Sequence, residues 1–81
     1  MRYMCDVFID GYIRGMFRIN RKECIFVLHN PIKKTDFICK GKYKEIKNIP
    51  SEYIVGIKGN IEGNMLKVIN VEKLKIYGVE E

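Results

Sequence analysis

The sequence predicts an all-β domain with one short helix, and three observations support this. Apolar residues or glycines occupy every second position from Val7 to Ile19, which is the period of a strand with one buried face. The other apolar runs are short, rich in β-branched and aromatic residues, and bounded by turn residues. Only the segment 41–50 spaces its apolar residues as a helix does.

The first predicted strand, residues 7–20, is long. Strands commonly have about five or six residues, but the alternation here continues without a break as far as Ile19. Gly11 and Gly15 share the parity that we expect to face inward, together with Phe17 and Ile19. Because glycine inside a strand often marks a bend or a bulge, we expect a bent strand that belongs to both sides of a curved barrel.

The remaining elements follow in order. Residues 24–30 predict a second strand that ends before Pro31, and residues 35–40 predict a third. Tyr43 and Ile46, separated by charged residues, predict a short amphipathic helix within 41–50. A fourth strand is expected at 53–61, a tight turn at 62–64, and a last strand at 65–77. A change of parity in the last strand predicts a bulge near Asn70.

This order of elements predicts a single domain over residues 1–81. Five strands with one helix between the third and the fourth is the layout of the OB-fold, a five-stranded Greek-key barrel. An SH3-like barrel is the alternative, but it has no helix at that point.

Charge is distributed unevenly along the chain. The net charge is +5, and residues 1–49 hold eleven Lys or Arg against five Asp or Glu, whereas the rest of the chain is slightly acidic. A basic excess favours polyanionic partners, because neutralising phosphates releases their counterions. Nucleic acid is therefore the first partner class to consider.

Cysteine spacing and hydropathy argue against other classes. Cys5, Cys24 and Cys39 form no C-x-x-C pair, so we expect buried thiols in a reducing cytosol rather than metal ligands. The longest uncharged run, 24–32, is too short to span a bilayer, and two aspartates interrupt the apolar N-terminal segment. We expect a cytoplasmic protein with no membrane partner, metal or cofactor.

Four segments carry a resemblance to a known family. They are "VFIDGYI" (7–13), "IFVLHNP" (25–31), "PSEYIVGIKGNI" (50–61) and "EKLKIYG" (72–78). In order and pattern they resemble the strands of the N-terminal OB-fold anticodon-binding domain of aspartyl, asparaginyl and lysyl tRNA synthetases. Tyr12 stands where that family has tryptophan. The resemblance spans nearly the whole chain and implies a stand-alone binding module without the catalytic domain.

The resemblance also implies roles for particular residues. Phe26 matches the second-strand phenylalanine that stacks on an anticodon base. Asn30 matches the arginine at the end of that strand, and Phe37 lies near the third-strand position at which the family has a uridine-reading glutamine. This sequence contains no glutamine, so a particular anticodon specificity is not expected.

Candidate binding residues follow from the predicted fold. In an OB-fold the outer face of strands 2 and 3 binds single-stranded nucleic acid, by aromatic stacking and a basic groove. We expect Phe26 and Phe37 to project from that face, with Phe8 and Tyr12 outward on strand 1. The basic candidates cluster at the end of strand 1 and in the two following turns: Arg14, Arg18, Arg21, Lys22, Lys33 and Lys34.

The function predicted from these residues is non-catalytic binding of single-stranded nucleic acid, RNA such as tRNA in preference to DNA. The sequence shows no nucleophile–base arrangement, no catalytic acid pair and no phosphate-cradling glycine loop, and the one histidine is interpreted as structural. A protein–protein or self-associating module is the alternative. For that alternative, Phe8, Tyr12 and Met16 would form a dimer stripe on strand 1.

Overall fold

A computed structural model describes residues 4–62 and 68–79, with side chains described for 6–61 and 68–79. Its elements are β1 (Met4–Arg18), β2 (Glu23–Asn30), β3 (Thr35–Lys42), α1 (Tyr43–Ile46), β4 (Tyr53–Glu62) and β5 (Ile69–Val79). The predicted order, with a short helix between the third and fourth strands, is confirmed. The predicted turn at 62–64 and the predicted start of the last strand fall mostly in 63–67, outside the described residues.

The five strands form one closed sheet in the order β1-β2-β3-β5-β4, with β4 paired back to β1. All pairs are antiparallel except β3–β5, which is parallel and joins Cys39 to Ile69 and Lys40 to Asn70.

No helix within residues 4–62 and 68–79 is long and apolar enough to cross a membrane.

Strand β1 belongs to both sides of the closed sheet, as its length predicts. Residues from Met4 to Tyr12 pair with β4, and residues from Tyr12 to Arg18 pair with β2. The strand curves closely over β2 at Gly11, where a Cβ atom would lie 2.4 Å from the carbonyl oxygen of His29. That distance excludes any side chain, which explains the glycine at this bend.

A β-bulge interrupts β1 at Arg14. Ile13 is opposite Leu28 and Gly15 is opposite Val27, so Arg14 is an extra residue without a partner. One extra residue moves every following side chain to the other face of the strand. A second bulge lies in β5, where Lys58 is opposite Lys73 and Gly59 is opposite Val71. It therefore leaves out Glu72, two residues beyond the predicted position near Asn70, and a third bulge, also in β5, leaves out Tyr77 between Ile76 and Gly78.

The core is a single cluster of apolar side chains inside the closed sheet. Its buried members are Ile13, Cys24, Phe26, Leu28, Cys39, Ile46, Val55, Ile57 and Ile69. Helix α1 contributes Ile46 and packs Tyr43 against the same cluster, as the predicted amphipathic pattern requires. The core is small, as expected for a chain of this length.

Two core thiols are free. Cys24 and Cys39 are both fully buried. Burial in apolar surroundings raises the pKa of Cys24 and raises the pKa of Cys39 to about 12. Because the thiolate is the reactive form, both side chains are inert packing groups near neutral pH.

Candidate nucleic-acid interface

The outer face of β1, β2 and β3 is built from cross-strand rows with one residue from each strand. Residues that pair directly across antiparallel strands project on the same side of the sheet. One row joins Phe17, Ile25 and Lys40, and the next joins Gly15, Val27 and Ile38. We call these six residues the β1–β3 face.

The centre of the β1–β3 face is an apolar surface formed by Ile25, Val27 and Ile38, with the aromatic ring of Phe17 at one side. We call this surface the apolar shelf. Phe17 is 76% exposed and Ile38 is 47% exposed, whereas Ile25 and Val27 are half-buried. Apart from Gly15 and its two chain neighbours, no residue has an atom within 4 Å of the position that a Cβ of Gly15 would occupy, so the shelf is open beside the ring. This geometry leaves room for a flat ligand against Phe17.

The prediction that Phe26 projects from this face is wrong. Its side chain is 1% exposed and lies in the core with Cys24 and Leu28, which share its parity. The opposite parity of β2 begins with Glu23 and ends with His29. Because these polar residues require solvent, they direct Ile25 and Val27 outward, and the large ring of Phe26 fills the core instead.

The expected outward orientation of Phe37 is wrong for the same reason. Phe37 is opposite Leu28 and is half-buried against the core cluster. The outward parity of β3 carries Asp36, Ile38 and Lys40. Neither phenylalanine assigned by the resemblance is therefore available for stacking from the outer face.

The bulge at Arg14 turns Phe17 outward, although the uninterrupted alternation of the sequence predicts that Phe17 faces the core. Before the bulge, Phe8 and Tyr12 face outward; after it, Phe17 faces outward and Met16 lies opposite buried Phe26. The expected inward position of Phe17 is therefore wrong. The dimer stripe of Phe8, Tyr12 and Met16 is wrong as well, since Met16 lies on the other side of the strand.

Tyr12 keeps its predicted outward position and is half-buried. It is opposite His29 on β2 and opposite Ile54 on β4, at the point where β1 leaves one partner strand for the other. Together with Asn30 and Ile32 it lines a small cavity of about 250 Å³.

The turn between β1 and β2 is held by Asn20 and Arg18. The Asn20 side-chain oxygen accepts hydrogen bonds from the backbone N–H groups of Lys22 and Glu23, each at 2.8 Å. The Arg18 guanidinium donates to the carbonyl of Asn20 at 3.0 Å and lies 4.2 Å from the ring centre of Tyr43. These contacts give Arg18 a role in holding the turn, and its phosphate contact stays a prediction.

A basic cluster forms where this turn meets the start of α1. The Tyr43 backbone N–H donates to the Lys22 carbonyl at 2.8 Å, which brings the two segments together. Four cations line the resulting cavity of about 270 Å³: Arg21, Lys22, Lys42 and Lys44. The cluster joins the candidates Arg21 and Lys22 to Lys42 and Lys44, two lysines around the helix that the sequence ranks as weaker candidates for the same positive region.

The turn between β2 and β3 exposes the other predicted lysines. The Asn30 side-chain oxygen accepts from the backbone N–H groups of Ile32 and Lys33 at 3.0 and 2.9 Å, and its amide donates to the Asp10 carbonyl at 3.2 Å. Asn30 is thus occupied in shaping the turn. Lys33 and Lys34 are exposed, and Lys34 adopts a left-handed φ of 52°.

Within the described part of the chain, ion pairs border the β1–β3 face at both ends. Lys40 lies 3.3 Å from Glu23, and a hydrogen bond from Asn20, followed by the Lys40 contact, lowers the pKa of Glu23. At the other end, Nδ1 of His29 lies 2.6 Å from a carboxylate oxygen of Asp36. This second pair was not predicted, because the two residues meet only across β2 and β3.

Among the residues that the structure describes, no group of three or more His, Cys, Asp or Glu side chains is arranged to hold a metal ion.

Three groups of candidate cations flank the β1–β3 face: Arg14 at the bulge, the basic cluster near one end, and Lys33 and Lys34 in the β2–β3 turn at the other. At about 3.3 Å per residue, the eight residues of β2 separate those two ends by about 25 Å.

Comparisons with known proteins establish the fold class. No protein-family model and no curated protein matches the chain. Among solved structures, the chain is similar to the OBody AM3L09 bound to hen egg-white lysozyme, an engineered binder. The TM-score is 0.73 at 15% sequence identity, over 93% of this chain and 83% of the OBody chain. At that identity the likeness shows fold alone: a small all-β domain of the OB-fold type with a closed five-stranded sheet and one short helix.

Proposed function

We propose that this chain is a non-catalytic, cytoplasmic OB-fold module with Greek-key strand order that binds single-stranded nucleic acid, RNA in preference to DNA. The β1–β3 face is the proposed binding surface. The resemblance of four segments to anticodon-binding domains supports tRNA as one ligand. That resemblance rests on strand patterns and supports the class of ligand, but the stacking residue must differ from the family's, because Phe26 and Phe37 face the core.

The observation that carries the proposal is the exposed ring of Phe17 beside an open apolar shelf. Phe17 is 76% exposed, and the Gly15 position next to it leaves space above Val27. Single-stranded nucleic acid is bound in this way, by bases stacked on aromatic rings, with a gain of about 1–3 kcal/mol per base. A base stacked on Phe17 would cover apolar surface that is otherwise exposed to water.

Charge at both ends of the face supports the same proposal. Arg21, Lys22 and Lys42 lie near one end, and Lys33 and Lys34 lie at the other. A strand of nucleic acid that crosses Phe17 would bring its phosphates to both groups. Such contacts position the backbone without reading sequence.

The proposal predicts salt-dependent binding of single strands. Labelled oligouridylate of about 12 nucleotides, within the range of about 4–16 per OB-fold, is titrated at about 50 and 200 mM salt, with the matching deoxy strand and a duplex as comparisons. Four phosphate contacts predict affinity about 50-fold weaker at the higher salt. Absence of single-strand binding at the lower salt would overturn the proposal.

A protein-docking role is the second candidate, because the same shelf is apolar and the similar OBody binds a protein. Either a second copy or another protein could cover Phe17 and Ile38. Sedimentation velocity separates self-association from nucleic-acid binding. Self-association predicts dimers at high micromolar concentration that Phe17→Ala abolishes, and monomers alone at that concentration would overturn it.

A further inference from the structure

A second aromatic and basic surface lies on the outer face of β1, β4 and β5, away from the β1–β3 face. It forms a groove of about 580 Å³. The groove joins the part of β1 that precedes the bulge to two strands that contribute nothing to the β1–β3 face. We call it the aromatic–lysine groove and define it by Phe8, Lys58, Lys73, Lys75 and Tyr77.

The lysines of this groove stand close together with like charges opposed. Lys58 is directly opposite Lys73, and Lys75 follows two residues along the same strand. Like charges directly opposite on one face destabilise a sheet. Among the side chains that the structure describes, no carboxylate forms an ion pair with any of the three. A bound anion would relieve this repulsion.

Three acidic residues define how far the positive region extends, and the first, Asp6, is exposed two residues before Phe8 on β1 and opposite Asn60. Asp10 lines the groove beside Gly56, and Glu72 borders it but accepts a hydrogen bond from the Asn60 amide at 2.6 Å. Of the residues that line the groove, three are lysines and one is acidic. The residues that line the groove therefore carry a net positive charge.

Two exposed rings complete the groove. Phe8 is 76% exposed and Tyr77 is 56% exposed, and a lysine ammonium lies 5.9 Å from the first ring centre and 5.2 Å from the second. Gly56 forms the floor beneath Tyr77, since a Cβ there would lie 2.7 Å from the tyrosine ring. Lys58 lies over the Phe8 ring and Lys75 over the Tyr77 ring, so a base that stacks on either ring displaces the ammonium toward the adjoining phosphate. Aromatic rings next to ammonium groups are the combination that binds single strands.

We propose that the aromatic–lysine groove is a second nucleic-acid site, in which a base stacks on Phe8 or Tyr77 and the adjoining phosphates contact Lys58, Lys73 and Lys75. The proposal extends the function proposed above and rests on it for the class of ligand. It differs in location, because the two surfaces use different parts of β1 and no common side chain. A single strand long enough to pass around the barrel can occupy both.

Tryptophan reporters test the two sites separately, because the chain contains no tryptophan. Tyr77→Trp places a single tryptophan in the groove, and Phe17→Trp places one on the β1–β3 face. Each variant is titrated with oligouridylate of about six nucleotides, and with inorganic polyphosphate as a polyanion without bases. We expect the oligonucleotide to quench the emission of the Tyr77→Trp variant by stacking and polyphosphate to leave it unquenched. If Tyr77→Trp fails to fold, Phe8→Trp replaces it.

The outcomes separate this inference from the proposed function. Quenching at position 17 alone overturns the groove and leaves the proposed function standing. Quenching at position 77 alone overturns the β1–β3 face as a binding surface and leaves both nucleic-acid binding and the groove standing. Quenching at neither position overturns both. Equal quenching by polyphosphate overturns base stacking in the groove.

A double lysine variant tests the phosphate contacts of the groove, with Lys47→Ser as its control. Lys58→Ser with Lys73→Ser, in the Tyr77→Trp background, is expected to reduce the slope of log affinity against log salt by about 1.4, since each phosphate contact contributes about 0.7 for single strands. Lys47→Ser, an exposed lysine beyond α1, should leave the slope unchanged. An unchanged slope in the double variant would contradict phosphate contact in the groove.

Discussion

Replacing Phe26 with alanine is expected to lower the free energy of unfolding by about 3–5 kcal/mol, the usual loss for a buried phenylalanine. The side chain is 1% exposed and is among the largest fully buried groups of the core. At about 0.05–0.15 kcal/mol per residue, a domain of this size has little stability beyond that loss. Urea unfolding followed by circular dichroism measures the difference.

Phe26→Leu and Phe17→Ala are the controls. Phe26→Leu keeps most of the volume and should cost about 1–1.5 kcal/mol, while leaving nucleic-acid affinity unchanged. Phe17→Ala removes an exposed ring and should change the unfolding free energy by less than about 1 kcal/mol. A stable Phe26→Ala protein with weakened nucleic-acid binding would show that Phe26 faces solvent.

Replacing Phe17 with alanine is expected to weaken binding of single-stranded nucleic acid by about 5- to 150-fold, which corresponds to the loss of about 1–3 kcal/mol for one stacked base. The effect should appear in affinity and not in stability, because the ring is 76% exposed. The titration is made in the Lys58→Ser and Lys73→Ser background, so that the aromatic–lysine groove contributes little.

Phe17→Tyr is the matched variant for that titration, because it keeps the ring and should bind as the parent does, to within about twofold. If alanine and tyrosine at position 17 give the same affinity as phenylalanine, the ring does not stack on a base. The β1–β3 face would then have another role, of which protein docking is the first to examine.

The order of the elements could be predicted from the sequence because it depends on local periodicity. Alternation over 53–61 and the short apolar runs 24–30 and 35–40 identify strands directly. Tyr43 and Ile46 mark the helix by their spacing and by the lysines around them. The long first strand with glycines also predicts correctly that β1 pairs on both of its edges.

Whether each side chain points toward the core or toward solvent was harder to predict, for two physical reasons. In β1 the apolar alternation continues through Arg14 without a break, so the pattern is the same with or without a bulge that reverses it. In β2 both parities are apolar. The signal there was the polar pair Glu23 and His29, which share the parity of Ile25 and Val27 and mark it as the solvent face.

The remaining site features depend on contacts between distant segments. The basic cluster forms because the Lys22 carbonyl binds the backbone of Tyr43, and the aromatic–lysine groove brings Phe8 next to Lys58 and Tyr77. The hydrogen bonds that engage Arg18 and Asn30 in turns likewise form only in the folded chain. Composition indicated a basic protein, but only the closed sheet shows where its cations gather.

The central claim is that single-stranded nucleic acid lies across the outer face of β1, β2 and β3. Amide chemical-shift mapping of the ¹⁵N-labelled protein with unlabelled oligouridylate tests it most directly. We predict large shift changes at Gly15, Phe17, Ile25, Val27 and Ile38, with the core residues Phe26 and Leu28 changing less. Binding that leaves the amides of the β1–β3 face unshifted would contradict the claim.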